Sequence, residues 1–177
     1  MARLTEQHWL DHGLKTLAKS GFASLKAATM AKALGVSRGS FYWHFKDIFD
    51  FQTRLLAHWR SRTTDMIIRE MDAKSDADQR LPDLMIRAFA AKADLDRAIR
   101  VWATYDAQAR AHLMDVDTLR MDYIKSLLKA AGLADDIASR RARFLYAASL
   151  GDAAIAPDVG RSFTTEDLKR LAALLVL

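Results

Sequence analysis

The sequence predicts an all-α fold, and three observations predict it. Only two prolines, Pro82 and Pro157, and seven glycines interrupt 177 residues. Helix formers dominate, and no apolar/polar alternation lasts more than a few positions. One start signal recurs: a capping residue preceded by an apolar residue that can staple onto the one five positions further along. It reads Leu4-Thr5-Trp9, Val36-Ser37-Phe41, Met114-Asp115-Leu119 and Phe163-Thr164-Leu168.

These signals mark nine helices, at roughly 5–20, 27–34, 38–44, 47–72, 80–92, 95–111, 116–131, 136–155 and 164–176. The first runs from the Thr5 cap to Gly21, which before Phe22 reads as a left-handed stop. The second carries Met30, Ala31 and Leu34 inward and ends at Gly35; the third starts at Ser37. The fourth is long enough to join an N-terminal head to the rest without a hinge sequence. The polar stretch AKSDADQR, residues 73–80, is the loop before the fifth. The sixth and seventh divide ahead of Asp115, and the seventh stops at Gly132 before Leu133. The eighth is rich in small residues, and the ninth starts at the Thr164 cap. The expected division is a head, residues 1–46, and a body, residues 47–177.

Charge gives the head a role. Residues 1–60 hold nine Lys/Arg against four Asp/Glu, which is the whole formal excess of +5, whereas the rest of the chain is balanced. A basic head on a neutral body points to a polyanionic partner. There is no Cys, which excludes disulfides and thiolate chemistry, and no apolar run approaches the length that spans a bilayer. The N-terminus lacks a signal-peptide layout, so a cytoplasmic location is expected. No HExxH, nucleophile elbow, P-loop or dinucleotide fingerprint occurs. Of the histidines at 8, 12, 44, 58 and 112, only His8 and His12 share a helix face, without further ligands nearby. The expectation is a non-enzyme without cofactor or metal.

The stretch TMAKALGVSRGSFYWHF, residues 29–45, has helix-turn-helix spacing. Ala31 is small where two helices cross, Gly35 can take positive φ, and Val36 and Phe41 fill the space between the helices. Phe41 and Phe45, at i and i+4, share a buried face. Arg38, Gly39, Ser40 and Tyr42 then face outward toward a major groove, with Ser37 opening the turn. Gly39 costs about 1 kcal/mol relative to Ala in a helix, a cost offset if the backbone approaches DNA closely. Tyr42 can meet a thymine methyl or a phosphate, and His44 and Lys46 fall where the duplex backbone would pass. Trp43 fits packing or a sugar-phosphate contact equally well, and His44 fits a helix cap as well as a contact.

These residues resemble the TetR family of bacterial transcriptional regulators. The resemblance rests on LDHGLKTLAKSGF and MAKALGVSRGSFYWHF in the head, and on weaker matches in RVWATYDAQ, VDTLRMDYIKSLLKAAGL and RARFLYAASLGD. It implies a homodimer with a three-helix head that binds double-stranded DNA, and a helical body that binds a small-molecule effector and releases DNA. Departures are visible. Lys26 stands where the family has a Ser or Thr that caps the second helix and touches phosphate, followed by Ala27 and Ala28. Lys26 and Ala28 are kept as candidate contacts. Ile48 replaces a usual Lys and Phe49 a common acidic residue, leaving Lys46 as the substitute phosphate contact. Gly13 replaces a usual Ala, which should weaken the first helix slightly.

In the body, Trp59, Met66, Phe89, Trp102, Tyr105, Met121 and Tyr123 are the candidate lining of an effector cavity, although such residues one by one serve as plain core. Asp106 is expected to pair with Arg120. Ala147, Ala148, Gly151 and Ala154 let another helix approach, and Leu168, Leu171 and Leu175 make the last helix too apolar for water. The resemblance implies that both helices meet a second chain; the alternative is that the last helix folds onto its own body. A rival reading, a helical membrane- or partner-binding module, leaves the helix-turn-helix grammar unexplained.

Overall fold

A computed structural model describes residues 4–91, 93–155 and 163–177, and the described residues are helices joined by turns. They are α1 (Glu6–Ser20), α2 (Ala27–Ala33), α3 (Arg38–Tyr42), α4 (Ile48–Arg60), α5 (Met66–Asp72), α6 (Arg80–Ala90), α7 (Asp94–Ala103), α8 (Ala107–Ala130), α9 (Asp135–Ala154) and α10 (Thr165–Leu175). Contacts group them into two compact units, residues 1–63 with 94–114, and residues 64–93 with 115–177.

In the first unit α1 packs on α4 and α7, and α2 on α3. α1 starts with a reciprocal cap: Thr5 accepts from the His8 amide and His8 Nδ1 accepts from the Thr5 amide. It ends at Gly21, φ +72°. Its apolar stripe of Trp9, Leu10, Leu14 and Leu17 is buried, as are Phe51, Leu55, Leu56 and Trp59 of α4. Gly13 has a reason that its position in a helix hides. A Cβ there would lie 2.7 Å from Phe51 Cζ and 2.9 Å from Leu55 Cδ1, so the glycine permits α1 and α4 to approach. The expectation that it merely weakens α1 is corrected accordingly. Polar links hold the same pair of helices. Arg54 reaches Glu6 at 3.1 Å, and Asp11 accepts from His58 Nε2 at 2.9 Å and from Arg62 Nη1 at 2.5 Å.

The expected single helix over 47–72 is interrupted by a π-turn, Ser61–Asp65. Thr63 donates its hydroxyl to the Trp59 carbonyl at 2.9 Å, and such back-bonding competes with the backbone ladder. Counting α4, the π-turn and α5 as one rod gives nine rods among the described residues. A second difference lies between α7 and α8. The break falls at residues 104–106, not before Asp115, which sits inside α8. Arg110 donates to the carbonyls of Ala103 and Thr104 at 3.1 and 3.0 Å, so a side chain of α8 satisfies the open end of α7. Asp106 caps α8 by accepting from the Ala109 amide at 2.8 Å. Arg120, its suggested partner, donates Nε to Thr64 Oγ1 at 3.0 Å.

In the second unit α6 packs on α5, α9 and α10. Its core holds Leu81, Met85, Leu128, Leu145, Tyr146 and Leu168 among others. α10 opens with the anticipated Thr164 cap, completed by Asp167. Lys92, the expected end of the fifth helix, lies outside the described residues.

Gly13→Ala raises helix propensity by about 1 kcal/mol yet adds a methyl to a filled interior, an overpacking that costs about 1–3 kcal/mol. Urea denaturation is expected to show a net loss of stability in the native chain and a smaller loss, or a gain, in a Phe51→Leu background. Asp11 has a second consequence. Burial alone would raise its carboxyl pKa, but the bonds from His58 and Arg62 hold it below the ordinary value. A depressed folded pKa adds stability above the unfolded value of about 3.9 that is lost as pH falls through the folded one. Asp11→Asn should therefore flatten the fall in stability between pH 5 and the acid limit, in urea melts read by circular dichroism.

Candidate nucleic-acid interface

The turn between α2 and α3 is closed by backbone bonds: Gly35 N donates to Lys32 O at 3.2 Å and Val36 N to Ala31 O at 3.0 Å. Gly35 holds φ +68°, the region that favours glycine. Ser37 follows in extended backbone and opens α3, although its side chain makes no capping bond. The expected helix 38–44 ends at Tyr42, with His44 and Phe45 amides both bonding Phe41 O at 3.0 Å.

Phe41 is fully buried. Its ring meets Trp9 edge-on at 5.4 Å and lies 5.0 Å from Phe45 and 5.5 Å from Phe51. That anchors one side of α3 and turns the other outward. Ser37, Arg38, Gly39 and Tyr42 are exposed, Trp43 is 77% exposed, and Ser40 and His44 are half-buried. Arg38 Nη2 donates to the Tyr42 hydroxyl at 3.0 Å and its guanidinium lies 5.6 Å from the ring centre, so the two outward side chains are held together. Gly39 has open surroundings: a Cβ would meet only Ser37 Oγ, at 3.7 Å. The protein's own packing does not require a glycine there.

Lys46 is exposed beside the start of α4. Asp47 caps that helix, accepting from the Asp50 amide at 2.8 Å, and Asp50 in return accepts from the Lys46 amide at 2.9 Å. The bond from Arg54, then that from the Lys46 amide, holds the Asp50 carboxyl below its usual pKa. At the other edge Lys26 and Ala28 are exposed at the start of α2, where Lys26 gives no side-chain cap. Phe49 is a large exposed apolar side chain that sequence reasoning passed over as a departure only.

The candidates for an effector cavity divide between the two units. Trp59, Trp102 and Tyr105 belong to the first unit; Met66, Phe89, Met121 and Tyr123 belong to the second. Trp59 and Trp102 are fully buried. Trp59 Nε1 donates to Asp96 at 3.0 Å, and Trp102 stacks on Phe22 at 4.6 Å. Met66 and Tyr105 are exposed. Tyr123 gives its hydroxyl to Asp72 at 2.7 Å. The interface candidates divide too. Ala147, Gly151 and Ala154 are exposed on α9 and Ala148 is half-buried, but Leu168 is buried in its own unit, with Leu171 and Leu175 packed against that core. The apolar face of α10 thus packs on its own unit through these three leucines. Phe144, 70% exposed and in helical register with Ala147, Ala148 and Gly151, is the residue the sequence reading missed. An aromatic ring three residues before a run of small residues was the available signal.

Residues 10–48, which contain the turn and the α3 surface, match the family model described as bacterial regulatory proteins, tetR family. Over these residues the chain is similar to the TetR family. Within the head it is 47% identical over 49 residues to the HTH-type transcriptional regulator AcrR of Shigella flexneri. That match takes in 28% of this chain and spans 23% of the relative's length. Beyond the head the likeness is one of fold. A TetR transcriptional regulator from Legionella pneumophila superposes with a TM-score of 0.79 at 13% identity, covering 98% of this chain and 97% of that one. A putative transcriptional regulator from Saccharomonospora viridis, solved in complex with choline, gives 0.71 at 15% identity over 97% and 94%.

Gly39→Ala is expected to leave the fold intact and to raise stability by up to about 1 kcal/mol, since helix propensity improves and nothing crowds the methyl. A thermal melt showing the variant less stable than the native chain would assign Gly39 to internal packing.

Proposed function

We propose that the chain is a ligand-responsive transcriptional regulator whose head, residues 1–46, binds a near-palindromic operator as a homodimer, and that it represses until a small effector bound by residues 47–177 releases it. The observation that carries the reading is the exposed surface of α3. A glycine that the fold does not need lies between Arg38 and Tyr42, which are linked to each other and face solvent. Side chains there can reach base edges only if the backbone comes close, and Gly39 allows that approach. Ser37, Ser40, Trp43, His44, Lys26, Ala28 and Lys46 surround it as candidate sugar-phosphate contacts, which fix register rather than sequence. The charge excess of residues 1–60 supplies the attraction for a polyanion.

Two heads related by a twofold axis would reach half-sites about one helical turn, roughly 34–36 Å, or a multiple apart. The face of α9 bearing Phe144, Ala147, Gly151 and Ala154 supports the dimer: it is exposed, and a Cβ on Gly151 would meet nothing within 4 Å, so the chain's own packing leaves room there. The effector belongs to the reading through fold likeness, the choline of the Saccharomonospora viridis protein being that protein's own ligand. To lower operator affinity a hundredfold an effector must favour the DNA-incompetent state by about 2.7 kcal/mol.

Selection from random duplexes is expected to return near-palindromic sites bound by two chains. On such a site Arg38→Ala and Tyr42→Ala should each cost about 1–3 kcal/mol at particular base pairs, whereas Lys46→Ala should weaken all duplexes alike and reduce the salt slope by about one. Recovery of non-palindromic or single-stranded sequences alone would contradict the reading.

A further inference from the structure

The second unit holds a cavity of about 370 Å³ that none of the expected lining residues touches. Its walls are largely apolar, built from Leu81 and Pro82 at the start of α6, Leu127 near the end of α8, and Ala172 and Val176 at the end of the chain. Alanines 130, 131 and 173 also line it, and their small size leaves the space open. The volume falls at the lower end of the range of about 300–1,000 Å³ common for small-molecule sites.

Two cations stand on this lining, Arg80 and Lys169, against one carboxylate, Asp78. Arg80 is held in place by neutral groups. Its Nη2 donates to the carbonyls of Asp72 and Lys74, at 3.1 and 2.9 Å, so its orientation is fixed without an ion pair among the described residues. Lys169 likewise makes no ion pair among them, although the adjacent Arg170 pairs with Glu166 at 3.2 Å. An apolar chamber whose lining carries one net positive charge suits a single negative charge on an apolar body. A dianion would remain half-compensated, and a neutral apolar molecule would leave the net positive charge without a counter-charge.

We propose that this cavity binds a compact monocarboxylic acid, its carboxylate between Arg80 and Lys169 and its hydrocarbon against Leu81, Leu127 and Val176. The inference rests on the effector reading for its place in regulation, and binding measured without DNA fails separately from operator release.

The test is calorimetric titration of the full chain with octanoate, octanol and inorganic phosphate. Octanoate should bind once per chain, octanol at least tenfold more weakly, and phosphate not at all. Lys169→Gln, at an exposed position outside the ion pairs of the described residues, should lower octanoate affinity several-fold and leave octanol unchanged. Ala173→Phe, which fills the chamber from an exposed position, should remove both, with circular dichroism confirming that each variant folds. Equal affinity for octanoate and octanol, saturation by phosphate, octanoate binding that survives Ala173→Phe, or no octanoate binding at millimolar concentration would each overturn the proposal.

Discussion

The ring of Phe41 sits among Trp9, Phe45 and Phe51, and the outward surface of the head depends on that contact set. α3 has five residues, far below the length at which a helix persists in water by its own hydrogen bonds. It stays helical, and faces one way, because burying Phe41 outweighs the cost of ordering the segment. The anchors in turn belong to α1 and to the start of α4, so whatever fixes those two helices fixes the reader. Gly13 lets them close up, and Arg54 and Asp11 link them by charge.

That dependence explains which groups remain outside. Once Phe41 points inward, helical geometry places Arg38 and Tyr42 four residues apart on the far side, where their mutual bond limits the rotamers each samples. Lys46 follows the last aromatic anchor and precedes the Asp47 cap, a position set by the start of α4 rather than by α3. Cations thus frame the exposed turn from two different elements, as an extended polyanion requires. In the second unit several charges face one another in surface pairs such as Lys125 and Lys129 with Asp135, and residues 61–177 carry equal numbers of basic and acidic side chains.

Much of the fold was legible because its punctuation is local. Thr5 and Thr164 cap helices and Gly21, Gly35 and Gly132 take positive φ, each a property of a few neighbouring residues. The errors arise where a distant or later group decides. Arg110 caps α7 from the next helix, which no residue near Ala103 announces, and so the break was sought at Asp115. Thr63 opens a π-turn through one hydroxyl in an otherwise regular helical pattern. Gly13 looked like a weakness because its partner, Phe51, lies 38 positions away. In the head, small polar residues mixed with rings on a short helix marked the outward face. The effector candidates had no such mark: Trp59 and Trp102 are core, and large apolar side chains read the same from sequence whether they fill a space or line one.

Hydrogen exchange of the Phe41→Leu chain tests the central claim most directly, because the substitution keeps the side chain apolar and removes only the ring contacts. The account requires the amides of Ser40, Tyr42, His44 and Phe45 to lose protection and duplex affinity to fall, while α6 and α9 amides exchange as in the native chain. Unchanged protection across α3, with operator affinity intact, would show that the helix is held by something other than the Phe41 ring and would contradict the account.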